Sequence, residues 1–466
     1  MNYFEKMQFL KENTFHSKKS IFNKRDILIC LLSIIIGISV GYLAQALKLI
    51  INFVTNFFYF GKFSFELALP ENNHLGYYAF FIPIIGGLIV GLIARFINPS
   101  VYGHGIPETM EKILINESLI QKRMLFLKPA SAAISVGTGG PFGEEGPIIA
   151  TGATLGSAFG QLIKMSSEER KILLASGVAG AVSAAFGSPF GGIFLAIELM
   201  LFEFKPRSLV PAALSVIAAE FIRMKFVGDN LAFTMSLVSL PTASMDIICY
   251  FVIGIFIGVI SVGMTHSVHY CESIFEKLPI HWMWWPALGG IGVGAIGVIE
   301  PKVLGAGYET ISSILNGNVI GHFAASLFIL KFLAWLIGVS SRTTAGTLAP
   351  LFMIGGCLGV TLSGLISYLF PFIQLDPKIA AMVGMASLFA GVTRAFLASV
   401  FITLEATHQF WAAIPVLTGC VAAYLISLFL MQHSILTYSL VKKGIIIPNE
   451  QINVTVNDHQ KTDNKK

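Results

Sequence analysis

The sequence predicts an all-α polytopic membrane protein built from two related halves. Composition, the length of the apolar runs and an internal repeat each point to it. Hydrophobic residues make up 55% of the 466 and charged residues 12%, about half the ~25% charged share usual in soluble domains. Apolar runs fall at 27–60, 77–97, 172–202, 245–265, 322–338, 379–406 and 411–431, and several exceed the roughly 20 residues that cross a bilayer. With 45 Gly and 19 Pro, many of the helices must be interrupted. Interruption at membrane depth is tolerated only where protein or a water cavity covers the freed backbone.

The repeat is read block by block. Pro83, Gly86, Gly87, Val90 and Gly91 recur as Pro286, Gly289, Gly290, Val293 and Gly294, each 203 positions on. "GHGIPET" from Gly103 matches "GAGYET" from Gly305, one residue shorter. Gly143, Pro147, Gly152 and Gly156 recur as Gly346, Pro350, Gly355 and Gly359, again 203 apart. Gly177, Ala179, Phe194 and Glu198 correspond to Gly384, Ala386, Phe401 and Glu405, now 207 apart. The chain therefore divides into an N-terminal segment (1–25), a first membrane repeat (26–230), a linker (231–244), a second repeat (245–445) and a polar tail (446–466). Repeats of this kind belong to transporter folds, with the site between the halves near mid-membrane. The pattern leaves open whether the halves are parallel or inverted.

The net charge of +5 matters less than its placement. Lys11, Lys18, Lys19, Lys24 and Arg25 precede the first span, and Lys442 and Lys443 follow the last. The positive-inside rule puts both termini in the cytoplasm, so the number of crossings is even. Basic residues that flank spans do not suit nucleic-acid binding. The first apolar run is too long for a cleavable signal peptide. Five scattered cysteines without a C-x-x-C pair specify neither disulfides nor a metal site, and no metal or cofactor is expected.

The repeated blocks are also where helices break. "GTGGPFGEEGP" packs five glycines and two prolines into eleven residues, which no continuous helix survives. Proline favours a first turn, so a helix is expected to start near Glu145 to Pro147. "AGTLAP" predicts another start near Thr347 to Pro350, and "GHGIPE" a third with Pro107 in its first turn. A helix start carries unpaired N–H groups and about half a positive charge. Several converging starts would bind an anion without lysine or arginine, and so without holding it too tightly to release. A carboxylate at such a start is itself an anion in the site. Ionised, Glu145 would occupy the pathway; protonated or displaced, it would leave the pathway open. Intramembrane carboxylates are functional candidates by default.

With these blocks in place the chain resembles the CLC family of chloride channels and proton/chloride antiporters over nearly its whole length. The resemblance rests on "GHGIPE" at 103–108, "GEEGP" at 143–147, "GTLAP" at 346–350 and "LTYS" at 436–439. It implies a CLC fold with two inverted-topology repeats, about seventeen membrane-embedded helices and a homodimer with one pathway per subunit. By motif position it implies that Glu145 is the gating and proton-transfer glutamate. The anion site would be formed by His104, Gly105, Ile106, Gly146, Thr347, Leu348 and Tyr438. Lys128 falls where prokaryotic members often carry a lysine.

Three positions depart from the family pattern: His104 stands for a serine, Glu144 for a common arginine, and Leu199 for the second glutamate that passes protons inward in many antiporters. Glu198, beside Leu199, is the more structural of that pair by analogy. His104 is expected to replace part of the missing relay, since imidazole exchanges protons near neutrality. Leu348, for the usual phenylalanine, is a milder change.

The expected function is transmembrane chloride transport by proton/chloride antiport in a prokaryotic plasma membrane, with chloride, protons and lipid as partners. The short polar tail leaves no room for the cytoplasmic nucleotide-binding domains of many eukaryotic relatives. A passive channel is the alternative, favoured by Leu199. A cation-coupled carrier would need paired acids deep in the spans. An intramembrane enzyme is not expected, because neither H-E-x-x-H nor G-x-S-x-G occurs.

Overall fold

Uninterrupted apolar runs form long helices, and Gly/Pro clusters break the rest. The computed structural model describes residues 23–228, 230–236, 244–344 and 346–448. The N-terminal segment 1–25, the linker 231–244 and the tail 446–466 therefore lie largely outside the described residues. Seventeen α-helices occur among the described residues. The first half holds α1 (Lys24–Thr55), α2 (Phe81–Phe96), α3 (Ile106–Ile115), α4 (Met124–Gly137), α5 (Glu145–Leu162), α6 (Ser167–Phe186), α7 (Pro189–Ala196) and α8 (Pro206–Val227). The second holds α9 (Ser244–Lys277), α10 (Trp285–Ile299), α11 (Tyr308–Leu315), α12 (Gly321–Ser340), α13 (Leu348–Leu369), α14 (Pro377–Thr393), α15 (Phe396–Thr407), α16 (Ala413–Leu430) and α17 (Tyr438–Lys442).

Among the described residues, seven helical segments are long and apolar enough to cross a membrane. With 32 residues in α1 and 34 in α9, each exceeds the bilayer thickness at ~1.5 Å per residue and must lie tilted. The runs 172–202 and 379–406 are not single spans. Each splits into two helices, between α6 and α7 and between α14 and α15. Gly187 and Arg394 end the first helix of each pair in the left-handed region, at φ +63° and +62°.

Close contacts between repeat counterparts show how the halves are related. A Cβ on Gly87 would fall 2.2 Å from the Pro286 carbonyl oxygen, and one on Gly290 would fall 2.5 Å from that of Pro83. Farther along, Gly91 meets the Met283 carbonyl at 2.1 Å and Gly294 meets that of Phe80 at 2.3 Å. Low numbers on α2 thus oppose high numbers on α10, so the counterparts cross antiparallel. The relating axis lies across the helices, and the halves are inverted. Each half also repeats one internal contact: Gly152 and Gly177 seat α5 on α6, while Gly355 and Gly384 seat α13 on α14. These four helices form the most deeply buried part of the molecule.

The α7–α15 contact follows the same symmetry with charge. Glu198, in the π-turn Ile197–Leu201 after α7, accepts from the Leu397 and Ala398 amides at 2.8 and 3.1 Å. Its counterpart Glu405 accepts from the Phe190 and Gly191 amides at 3.1 and 2.9 Å and from Ser188 Oγ at 2.5 Å. Each carboxylate caps the start of the other half's helix, where amides lack intrahelical partners. Phe194 and Phe401 stack between them at 4.7 Å. Glu405→Ala is expected to lower stability by ~1–3 kcal/mol, seen as a lower melting temperature in detergent. Glu405→Gln, which keeps an acceptor oxygen, should lose less. An unchanged melting temperature for the alanine variant would refute the cap.

Candidate functional site

The predicted helix starts are found at α3, α5 and α13, and they meet. The Gly143 amide donates to the Gly346 carbonyl at 3.1 Å. A Cβ on Gly346 would lie 2.2 Å from the Gly143 carbonyl oxygen, and one on Gly105 would lie 2.4 Å from that of Gly146. Only glycine permits backbones to approach this closely. The sequence pattern "G-x-x-x-P" in both halves thus marks where α5 and α13 touch end to end.

Glu145 is the first residue of α5 and is fully buried. Its Oε1 accepts from the Tyr308 hydroxyl. Its Oε2 has no hydrogen-bond partner among the described residues and lies over Gly143, where a Cβ would fall 1.8 Å from it. Tyr308 opens α11 and belongs to the repeat block "GAGYET". Its phenol was not legible as a site residue, because it lies 163 positions from its partner.

Two cavities flank this point and share no lining residue. One, of about 730 Å³, is lined by His104, Thr347, Tyr438, His269 and Glu272 among others. The second, of about 480 Å³, is lined by Glu144, Lys48, Tyr308 and Glu309 among others. Glu145 itself lines neither cavity: Glu144 and Tyr308 border the second, and Thr347, beside the Gly346 that meets Gly143, borders the first.

The remaining expected site residues separate into three groups. His104, Thr347 and Tyr438 come together around the larger cavity. Ile106, Gly146 and Leu348 are buried behind them in the first turns of α3, α5 and α13. The amides of His104 and Gly105 are already engaged, donating to Glu108 at 3.2 and 2.7 Å. The start of α3 is therefore capped from within, and α5 and α13 carry the free helix ends. The Nδ1 of His104 is buried without a partner.

Glu144, unexplained by motif, is paired with Lys48 of α1 at 3.3 Å. Its charge is thus answered by a cation from another helix. Lys128 donates to the Val101, Tyr102 and Gly103 carbonyls at 2.9, 3.1 and 2.9 Å, and so ties down the loop before α3. Lys331, 203 positions on, is fully buried and donates to the Val303 and Gly305 carbonyls, both at 2.9 Å, before α11. Sequence reading missed Lys331, although the repeat register locates it.

A profile of the voltage gated chloride channel family matches residues 86–428. The chain belongs to that family. It is 27% identical to the H(+)/Cl(-) exchange transporter ClcA of Klebsiella pneumoniae, over 88% of this chain and 87% of that protein. Against ClcA of Salmonella arizonae the identity is 26%, over 90% of each. In fold it matches a slow cyanobacterial Cl−/H+ antiporter with a TM-score of 0.79, at 22% identity over 91% of this chain and 99% of that one. A CLC-type fluoride/proton antiporter matches with a TM-score of 0.71, at 22% identity over 86% and 95%. This member of the voltage gated chloride channel family is an integral membrane protein.

Leu199 is buried and apolar. Glu198 is committed to the amides that open α15. Neither residue offers a free carboxylate.

Proposed function

We propose that this chain exchanges chloride for protons across a membrane, with Glu145 as the gate. The observation that carries the reading is the position of Glu145. It is a fully buried carboxylate at the start of α5, bonded to Tyr308 where the starts of α5 and α13 meet. Ionised, it competes with chloride for the helix ends of α5 and α13. Protonated, it loses that attraction and yields the place to chloride. One group thereby couples a proton to an anion. Thr347, Leu348, Gly146 and Tyr438 would bind the chloride through amides and a neutral phenol, with no cofactor required.

Lys442 and Lys443 line the His104 cavity, and the positive-inside rule makes that face and both termini cytoplasmic. A prokaryotic plasma membrane and a homodimer with one pathway per subunit complete the proposal. A passive channel is the second reading, favoured by the apolar Leu199.

Chloride efflux from proteoliposomes with simultaneous pH recording separates the two. The parent should drive protons uphill when chloride moves down its gradient. Glu145→Gln should reduce proton movement at least about 100-fold while anion movement persists. Large chloride flux with no proton movement in the parent means a channel.

A further inference from the structure

The two adjacent carboxylates at the start of α5 share one neighbour. Tyr308 donates to Glu145 Oε1, and Glu144 reaches the same hydroxyl. A phenol has a single O–H to donate, so only one of the two carboxylates can hold it. Glu144 is buried and borders the second cavity beside Tyr308. Lys48, late in α1, borders that cavity too and stands 3.3 Å from Glu144 Oε1. An ammonium on a membrane-spanning helix is costly and is a functional candidate by default.

The other cations nearby are engaged elsewhere. Arg223 of α8, which lines the same cavity, donates to Glu220 at 3.0 Å and to the Asn230 carbonyl at 2.5 Å. Lys331 is committed to the Val303 and Gly305 carbonyls, in the loop that leads into Tyr308. Glu71 and Glu309 line the cavity as further acids. Lys48 is thus the cation ion-paired with Glu144 among the described residues. Its full charge attracts that carboxylate more strongly than the phenol dipole does.

We propose that Lys48 is a positioning residue for the gate: by holding Glu144, it leaves the Tyr308 hydroxyl to Glu145. The inference rests on the reading of Glu145 as the gate. Without the ammonium, Glu144 is a buried carboxylate that has lost its partner, and leaving it unmatched is costly. It turns to the phenol already within its reach. Glu145 then loses its latch and yields its place at the helix ends more often. Two neighbouring carboxylates thereby take different roles, each set by the donor it faces. Lys48 acts through Glu144 and Tyr308, not by contact with the anion.

The test is initial chloride efflux from proteoliposomes of the full chain at equal protein loading. Lys48→Met keeps the apolar stem of the side chain without its charge and should raise efflux about tenfold. Adding Glu144→Gln to it removes the competing charge, and efflux should return to within about twofold of Glu144→Gln alone. A lysine that only props up the fold would change efflux by the same factor in both backgrounds. Glu144→Gln alone leaves the phenol one charged partner and should run slower than the parent. If Lys48→Met does not fold, that variant decides, and a parent or faster rate in it overturns the proposal. A parent rate in Lys48→Met, or an equal rise with and without Glu144, overturns the role of the lysine and leaves the gate standing. A Glu145→Gln variant that moves protons and chloride like the parent overturns the gate, and the proposal with it.

Discussion

Replacing Gly346 with alanine is expected to cut chloride transport about 10- to 100-fold. A Cβ there would fall 2.2 Å from the Gly143 carbonyl oxygen and 3.1 Å from the Gly146 amide nitrogen. Both neighbours are backbone, so no side chain can swing aside. The starts of α5 and α13 must part, and overpacking of this kind costs ~1–3 kcal/mol, where 1.4 is a factor of ten. The helix ends that would share the anion then no longer face one point. Gly364→Ala is the matched control: it lies within α13 with nothing within 4 Å of its Cβ position. Initial chloride efflux from proteoliposomes at equal protein loading reads the effect, with size-exclusion profiles to confirm folding. Equal efflux for the two variants would show that the end-to-end contact does not govern transport.

Removing the phenol hydroxyl at Tyr308 should act in the opposite direction. Its hydrogen bond to Glu145 Oε1 holds the carboxylate at the start of α5. A hydrogen bond to a charged group contributes ~1.5–3 kcal/mol, so Tyr308→Phe should shift the balance of gate positions about 10- to 100-fold toward release. Chloride efflux should rise and the protons moved per chloride should fall. The ring remains, and with it the packing on Phe233 at 5.7 Å, so a loss of fold is not expected. A variant with slower efflux and unchanged coupling would mean that Tyr308 does not latch the gate.

Much of this site was legible from local chemistry. Proline tolerates only a first turn, and glycine clusters forbid a continuing helix, so the starts of α3, α5 and α13 followed from the residues themselves. The repeat register alone pairs Gly143 with Gly346 and Glu198 with Glu405. The same register points from Lys128 to Lys331. Leu199 stood out only through the family resemblance, not through local chemistry. Tyr308 and Lys48 carried no such signal, because each matters only through a partner far along the chain.

By itself the sequence determined that the chain crosses a membrane, that it is two halves, and that its helices break at matched places. Those properties follow from transfer energies and backbone sterics, which act locally. Only the tertiary structure decided that the halves are inverted, since that rests on which end of α2 meets which end of α10. It alone decided that Glu144 is answered by Lys48, and that the start of α3 is capped by Glu108. It also turned Glu198 and Glu405 into reciprocal caps. A carboxylate at membrane depth is costly wherever it sits, and which amide, phenol or ammonium offsets that cost is settled only by the neighbours the fold brings to it.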